Sequence, residues 1–148
     1  MALASASQVD RTAPSRILVI GDNPESIELI DHLLLEHGYV ALLALDGREG
    51  MRLASLVPPD LILLDLRMPG PDGYEVPAAI RSQRSLEHTR IVAVTAIVSE
   101  RDRARIATAG FDACIPKPIN PDTFVPEIEG FLVKRRLRTV SPPLRATG

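Results

Sequence analysis

Four short apolar runs, ILVI (residues 17–20), VALLAL (40–45), LILL (61–64) and IVAVT (91–95), are separated by longer stretches whose apolar residues recur with helical spacing. The runs do not alternate with polar residues, so each reads as a strand buried on both faces; DACI (112–115) reads as a shorter fifth. In PESIELIDHLLLEHG (24–38) the side chains of Ile27, Ile30, Leu33 and Leu34 share one helical face, with Pro24 in the first turn and Gly38 at the stop. GREGMRLASL (47–56), GYEVPAAIRSQR (73–84), SERDRARIATAG (99–110) and NPDTFVPEIEGFLVKRRL (120–137) read as four further helices. Pro77 and Pro126 fit only in a first turn or at a kink. Strand then helix, repeated, is the order of a parallel sheet with helices on its faces. Five such units are too few for a closed barrel, which needs roughly 200 residues or more, so the expected fold is α/β, an open doubly wound sheet.

That fold says where chemistry belongs. Ligands of open α/β sheets bind outside the carboxyl ends of the strands. Asp22 follows the first strand, Asp65 ends the third in LILLDLRMPGPDG (61–73), Thr95 ends the fourth, and Lys117 follows the fifth. Two carboxylates on one partly desolvated rim repel unless a divalent cation neutralises them, and with a backbone carbonyl they suit Mg²⁺. One carboxylate can then attack a phosphoryl group, while a hydroxyl and an ammonium offset the charge of the adduct. Singly, each residue also fits a helix cap or a turn.

Composition narrows the field. Trp is absent and aromatics make up 3% of residues, which leaves no platform for stacking bases. A single cysteine, Cys114, excludes an internal disulfide and fits a reducing, cytoplasmic location. No apolar run reaches the ~18 residues of a membrane span, and neither GxGxxG nor a P-loop occurs. MALASASQVDRTAPS lacks the basic start and apolar centre of a signal peptide. Residues 1–133 hold 12 basic and 19 acidic groups, whereas Lys134, Arg135, Arg136, Arg138 and Arg145 form a basic end without acids. These cations suit a helix C-terminus followed by a solvated tail. The expected organisation is a disordered segment over 1–15, one domain over 16–137 and a disordered basic tail over 138–148.

The motifs RILVIGDNP, PDLILLDLRMPGPDGYE, IVAVTA and KPI, in this order over about residues 16–133, resemble the receiver domain of bacterial two-component response regulators. The resemblance implies a flavodoxin-like (βα)5 fold with strand order 2-1-3-4-5, and a single-domain, stand-alone regulator. It implies that Asp65 accepts the phosphoryl group, that Asp22 and Asp65 bind Mg²⁺ with the backbone carbonyl of Arg67, that Thr95 is the switch hydroxyl, and that Lys117 contacts the phosphate ahead of a cis Pro118. The implied donor is a histidine kinase or phosphotransfer protein. The implied output is a downstream protein bound at the fourth helix, fifth strand and fifth helix, with no direct DNA binding, no membrane contact and no turnover of a separate substrate.

Two positions depart from the family pattern. Receivers usually carry two adjacent acids after the first strand, and here Gly21 precedes Asp22, so Mg²⁺ binding should be weak; the other reading of Gly21 is a backbone conformation with φ > 0. Cys114 stands where many receivers place a rotating aromatic, and reads as a small buried strand residue rather than a redox group. Together they give the alternative function, a pseudo-receiver that binds its partner without phosphate. An aspartyl-phosphate hydrolase would need an acid at position 67, which is arginine.

Overall fold

The computed structural model describes residues 15–66, 71–96 and 99–140. Its elements are β1 (Arg16–Ile20), α1 (Pro24–Glu36), β2 (Val40–Ala44), α2 (Gly47–Leu56), β3 (Leu61–Leu66), α3 (Pro71–Arg81), a 3-10 turn (Arg84–Leu86), β4 (Arg90–Thr95), α4 (Glu100–Ala109), β5 (Ala113–Pro116) and α5 (Phe124–Val140). The strands are all parallel in the order β2-β1-β3-β4-β5, as expected. The expected lead-in and tail lie outside the described residues, apart from Ser15 and the helical backbone up to Val140.

Two apolar clusters, one on each face, hold the sheet between its helices. Ile17, Val19, Leu61, Leu63, Val92 and Val94 pack against α1 and α5 through Ile27, Ile30, Leu34, Phe124 and Ile128. Their sequence neighbours Leu18, Ile20, Ile62, Leu64, Ile91 and Ala93 pack against α2, α3 and α4 through Ala54, Ile80 and Ile106. This is why the strand runs are apolar at every position: alternate residues serve opposite faces, and each large side chain contributes about 1.5–3 kcal/mol on burial.

Local chemistry sets the helix ends. Asn23, Asp46 and Ser99 cap α1, α2 and α4 by accepting the amides of Glu25, Glu49 and Asp102, and Gly110 ends α4 with φ 109°. Helix α5 begins four residues later than its sequence suggests. The side chain of Asn120 accepts the Asp122 amide at 2.9 Å and its carbonyl accepts those of Thr123 and Phe124, so Asn120 closes a turn instead of a helix. Pro126 is thereby in the first turn. Pro77, by contrast, sits in the interior of α3, where the buried contacts of Val76 and Ile80 offset the lost amide bond.

At the amino ends of β4 and β5, Arg81 ties the end of α3 to two loops, residues 87–89 and 110–112. It donates to the carbonyls of Glu87 (3.1 Å), Thr89 (3.0 Å) and Gly110 (3.0 Å) and to Asp112 Oδ2 (2.7 Å). Asp112 also accepts the Ile91 amide at 2.8 Å and pairs with Arg90 at 3.5 Å. Among the described residues, no helix is long and apolar enough to cross a membrane.

Candidate functional site

Asp65 lies one residue before the end of β3, beside Val94 of β4, and its side chain is 1% exposed. It is there because β3 is central in the sheet, so a residue near its carboxyl end is walled by β1, β4 and the loops above. Lys117 Nζ stands 2.5 Å from Asp65 Oδ1, an ion pair at the mouth of the site. Neither carboxylate oxygen accepts a well-aligned hydrogen bond from the described residues. A buried carboxylate with one cation and lone pairs to spare is costly, and leaves capacity for a further electrophile or cation.

Thr95, fully buried at the end of β4, accepts the Lys117 amide on its carbonyl at 2.8 Å. The ends of β4 and β5 are thus locked together, and Lys117 is aimed at Asp65. The Lys117–Pro118 bond is cis, as the resemblance implies. Asp22 is exposed in the loop between β1 and α1, next to Gly21. Arg67, whose carbonyl was expected to complete a metal site, lies outside the described residues. Among the described residues, no three His, Cys, Asp or Glu side chains cluster as a metal site.

Of the two readings the sequence offered for Gly21, the structure does not support a backbone with φ > 0. Positive φ occurs at Gly38 and Gly110 and not at Gly21. A Cβ at position 21 would stand 2.8 Å from Asp65 Cβ and 3.1 Å from Ile27 Cδ1. The glycine lets the β1 backbone lie directly on the Asp65 side chain.

Sequence reasoning missed Ser26. Its Oγ is 3.5 Å from Lys117 Nζ, a long contact from the side of α1 across 91 residues of sequence. The available signal was its place in the first turn of α1, four residues after Asp22. Ser26, Leu29, Ala96, Lys117, Pro118 and Ile119 line an open groove of about 370 Å³ beside the ion pair. Cys114 is partly buried against the α2–α4 face; burial pushes its thiol pKa up, and Arg103 opposes the shift in part.

Known proteins carry the same arrangement of elements. The family model described as response regulator receiver domain matches residues 17–129. The polar-differentiation response regulator DivK of Brucella anthropi is 33% identical over 119 residues, covering 80% of this chain and 97% of that protein. Among solved structures, the chemotaxis protein CheY4 of Vibrio cholerae superposes with TM-score 0.75 at 28% identity, covering 80% of this chain and 99% of that one. The receiver domain of a sensor histidine kinase from Pseudomonas aeruginosa, solved with a magnesium ion coordinated in its active-site cleft, does so with TM-score 0.73 at 31% identity, covering 81% and 98%.

Proposed function

The chain belongs to the response regulator receiver domain family of two-component signalling, and from that premise we propose that Asp65 is its phosphoacceptor. The observation that carries the assignment is the nearly complete burial of Asp65 with one ion-pair partner and no hydrogen bond from the described residues. An Asp65 carboxylate oxygen attacks the phosphorus of a phosphohistidine on a histidine kinase or phosphotransfer protein. The P–O bond forms as the P–N bond breaks, and the released imidazole takes a proton from solvent. Lys117 remains as the cation for the new charge, and Thr95 offers its hydroxyl to a phosphoryl oxygen.

Asp22, Asp65 and the carbonyl of Arg67 are the groups proposed to hold Mg²⁺, and the spare lone pairs of Asp65 fit that role. When bound, the ion offsets the negative charge gathered on the phosphoryl and carboxylate oxygens. With glycine at position 21 the site has one carboxylate fewer than the usual receiver, so binding is proposed to be weak. The chain acts in the cytoplasm as a signalling protein rather than as an enzyme with turnover. Its downstream protein is proposed to read α4, β5 and α5, without direct binding to DNA.

The competing reading, a pseudo-receiver that works without phosphate, rests on Gly21 and Cys114. The retained Asp22, Asp65, Thr95 and Lys117, with Lys117 paired to the buried Asp65, oppose it. Intact-mass spectrometry after incubation with acetyl phosphate and Mg²⁺ separates the two. The expected result is an adduct of about 80 Da, the mass of one phosphoryl group, that disappears without Mg²⁺ and in Asp65→Asn. No adduct under any condition establishes the pseudo-receiver, and an adduct that persists in Asp65→Asn places the acceptor elsewhere.

A further inference from the structure

We propose that the open edge of β2 is a docking site for an extended segment of a partner protein, apolar and basic in character, that adds to the sheet as a sixth strand. The two edges of the sheet are built differently. The β5 edge contains Pro116, is followed by Pro118 and is preceded by the ion-paired Asp112, devices that blunt an edge against further pairing. The β2 edge, Val40–Ala44, has no charge and no proline. Ala44 turns its carbonyl inward to the Gly21 amide (3.0 Å), so by alternation the amides and carbonyls of Ala41 and Leu43 point away from β1. Among the described residues no strand lies on that side.

The side chains around this edge add to it. Every exposed large hydrophobic of the described residues falls between Leu29 and Leu56. Leu29 borders the groove beside Lys117, while Leu35 lies on the opposite flank of α1; Val40 and Leu43 lie in the edge strand itself, and Leu45 directly follows it. Such a patch on an unprotected edge has the form of a strand-addition site.

Charge selects the occupant. Helix α1 carries four acids and no Lys or Arg, and Glu28 and Asp31 share its flank with Leu35. Pairing β2 with its own copy about a two-fold axis sets α1 against α1 and these acids against themselves. A strand with basic residues among its apolar ones meets the opposite field.

The test uses a decapeptide of alternating valine and lysine, titrated into the isotope-labelled chain and followed by NMR. The amides of Ala41 and Leu43 are expected to shift first and to exchange more slowly, while the valine–glutamate counterpart leaves them unmoved. Leu43→Lys changes a side chain that is 38% exposed and is expected to weaken binding about tenfold. Shifts centred elsewhere, equal binding of both peptides, or unchanged affinity in Leu43→Lys would overturn the proposal. Concentration-dependent broadening of Ala41 and Leu43 without peptide would overturn it too, by assigning the edge to a second copy.

Discussion

Asp65 and Asp112 sit at opposite ends of the same sheet, and the more buried of the two is the less well compensated. Asp112, with a side chain 21% exposed, accepts from Arg81 and the Ile91 amide and pairs with Arg90. Asp65, 1% exposed, has the Lys117 ion pair alone among the described residues. A carboxylate whose lone pairs are satisfied is a structural tie, since breaking it strands its partners. One left short of donors costs stability and keeps its oxygens available, which suits an acceptor of phosphate or metal. The difference sets a well-satisfied structural tie at the amino ends of the strands against an under-compensated carboxylate at the carboxyl ends.

Breaking the architectural end should give the largest effect. Arg81→Ala removes four donated bonds at once and leaves Asp112 and three carbonyls short of partners, at a cost of about 3 kcal/mol in urea unfolding. The folded fraction should still take phosphate on Asp65; loss of phosphorylation in a folded Arg81→Ala would erase the distinction between the two ends. Crowding the chemical end comes next. Gly21→Ala pushes a methyl group into Asp65 Cβ and Ile27 Cδ1 and should cost about 2 kcal/mol while slowing phosphorylation. A neutral outcome by both measures would mean that the β1 backbone retreats from Asp65 freely.

Thr95→Ala sharpens the account of the rim. A hydrogen bond to a charged phosphoryl oxygen is worth about 1.5–3 kcal/mol, enough to bias a two-state surface tenfold or more. The variant should accept phosphate yet lose the phosphate-dependent amide shifts over residues 99–115, and shifts of full size would remove Thr95 from the signalling route. The smallest effect concerns Cys114. Burial raises its pKa, so less thiolate is present at pH 8, and alkylation by iodoacetamide should run a few-fold slower than for an unfolded chain. A rate equal to that of the unfolded chain would mean that the strand does not shield it.

Much of this was legible in the chain. Uninterrupted apolar runs such as LILL (61–64) have one good solution, a central parallel strand, and the order of the runs supplied the topology. The start of α5 was not legible, because NPDT (120–123) satisfies its own amides in a turn before the helix can begin. Asp22, Asp65, Thr95 and Lys117 were visible as polar residues at strand ends, where fold and chemistry coincide. Ser26 and the Arg81–Asp112 tie were hidden, since each joins residues far apart in sequence with no local pattern to mark them. Gly21 showed the same limit: its sequence context offered a lost carboxylate or a backbone with φ > 0, and did not show the close approach of Asp65 brought in from β3.

The contrast between the two carboxylates can be measured without phosphate or metal. Asp65→Asn and Asp112→Asn are the same near-isosteric change, so urea unfolding of both variants beside the wild-type chain compares the two environments directly. Asp112→Asn should lose about 2 kcal/mol, as Arg81 and Arg90 are left without their shared anion in a partly exposed setting. Asp65→Asn should unfold within about 1 kcal/mol of wild type or later than it, because the change removes an under-compensated buried charge and Lys117 can turn to solvent. Equal losses in the two variants, or a greater loss in Asp65→Asn, would contradict the account.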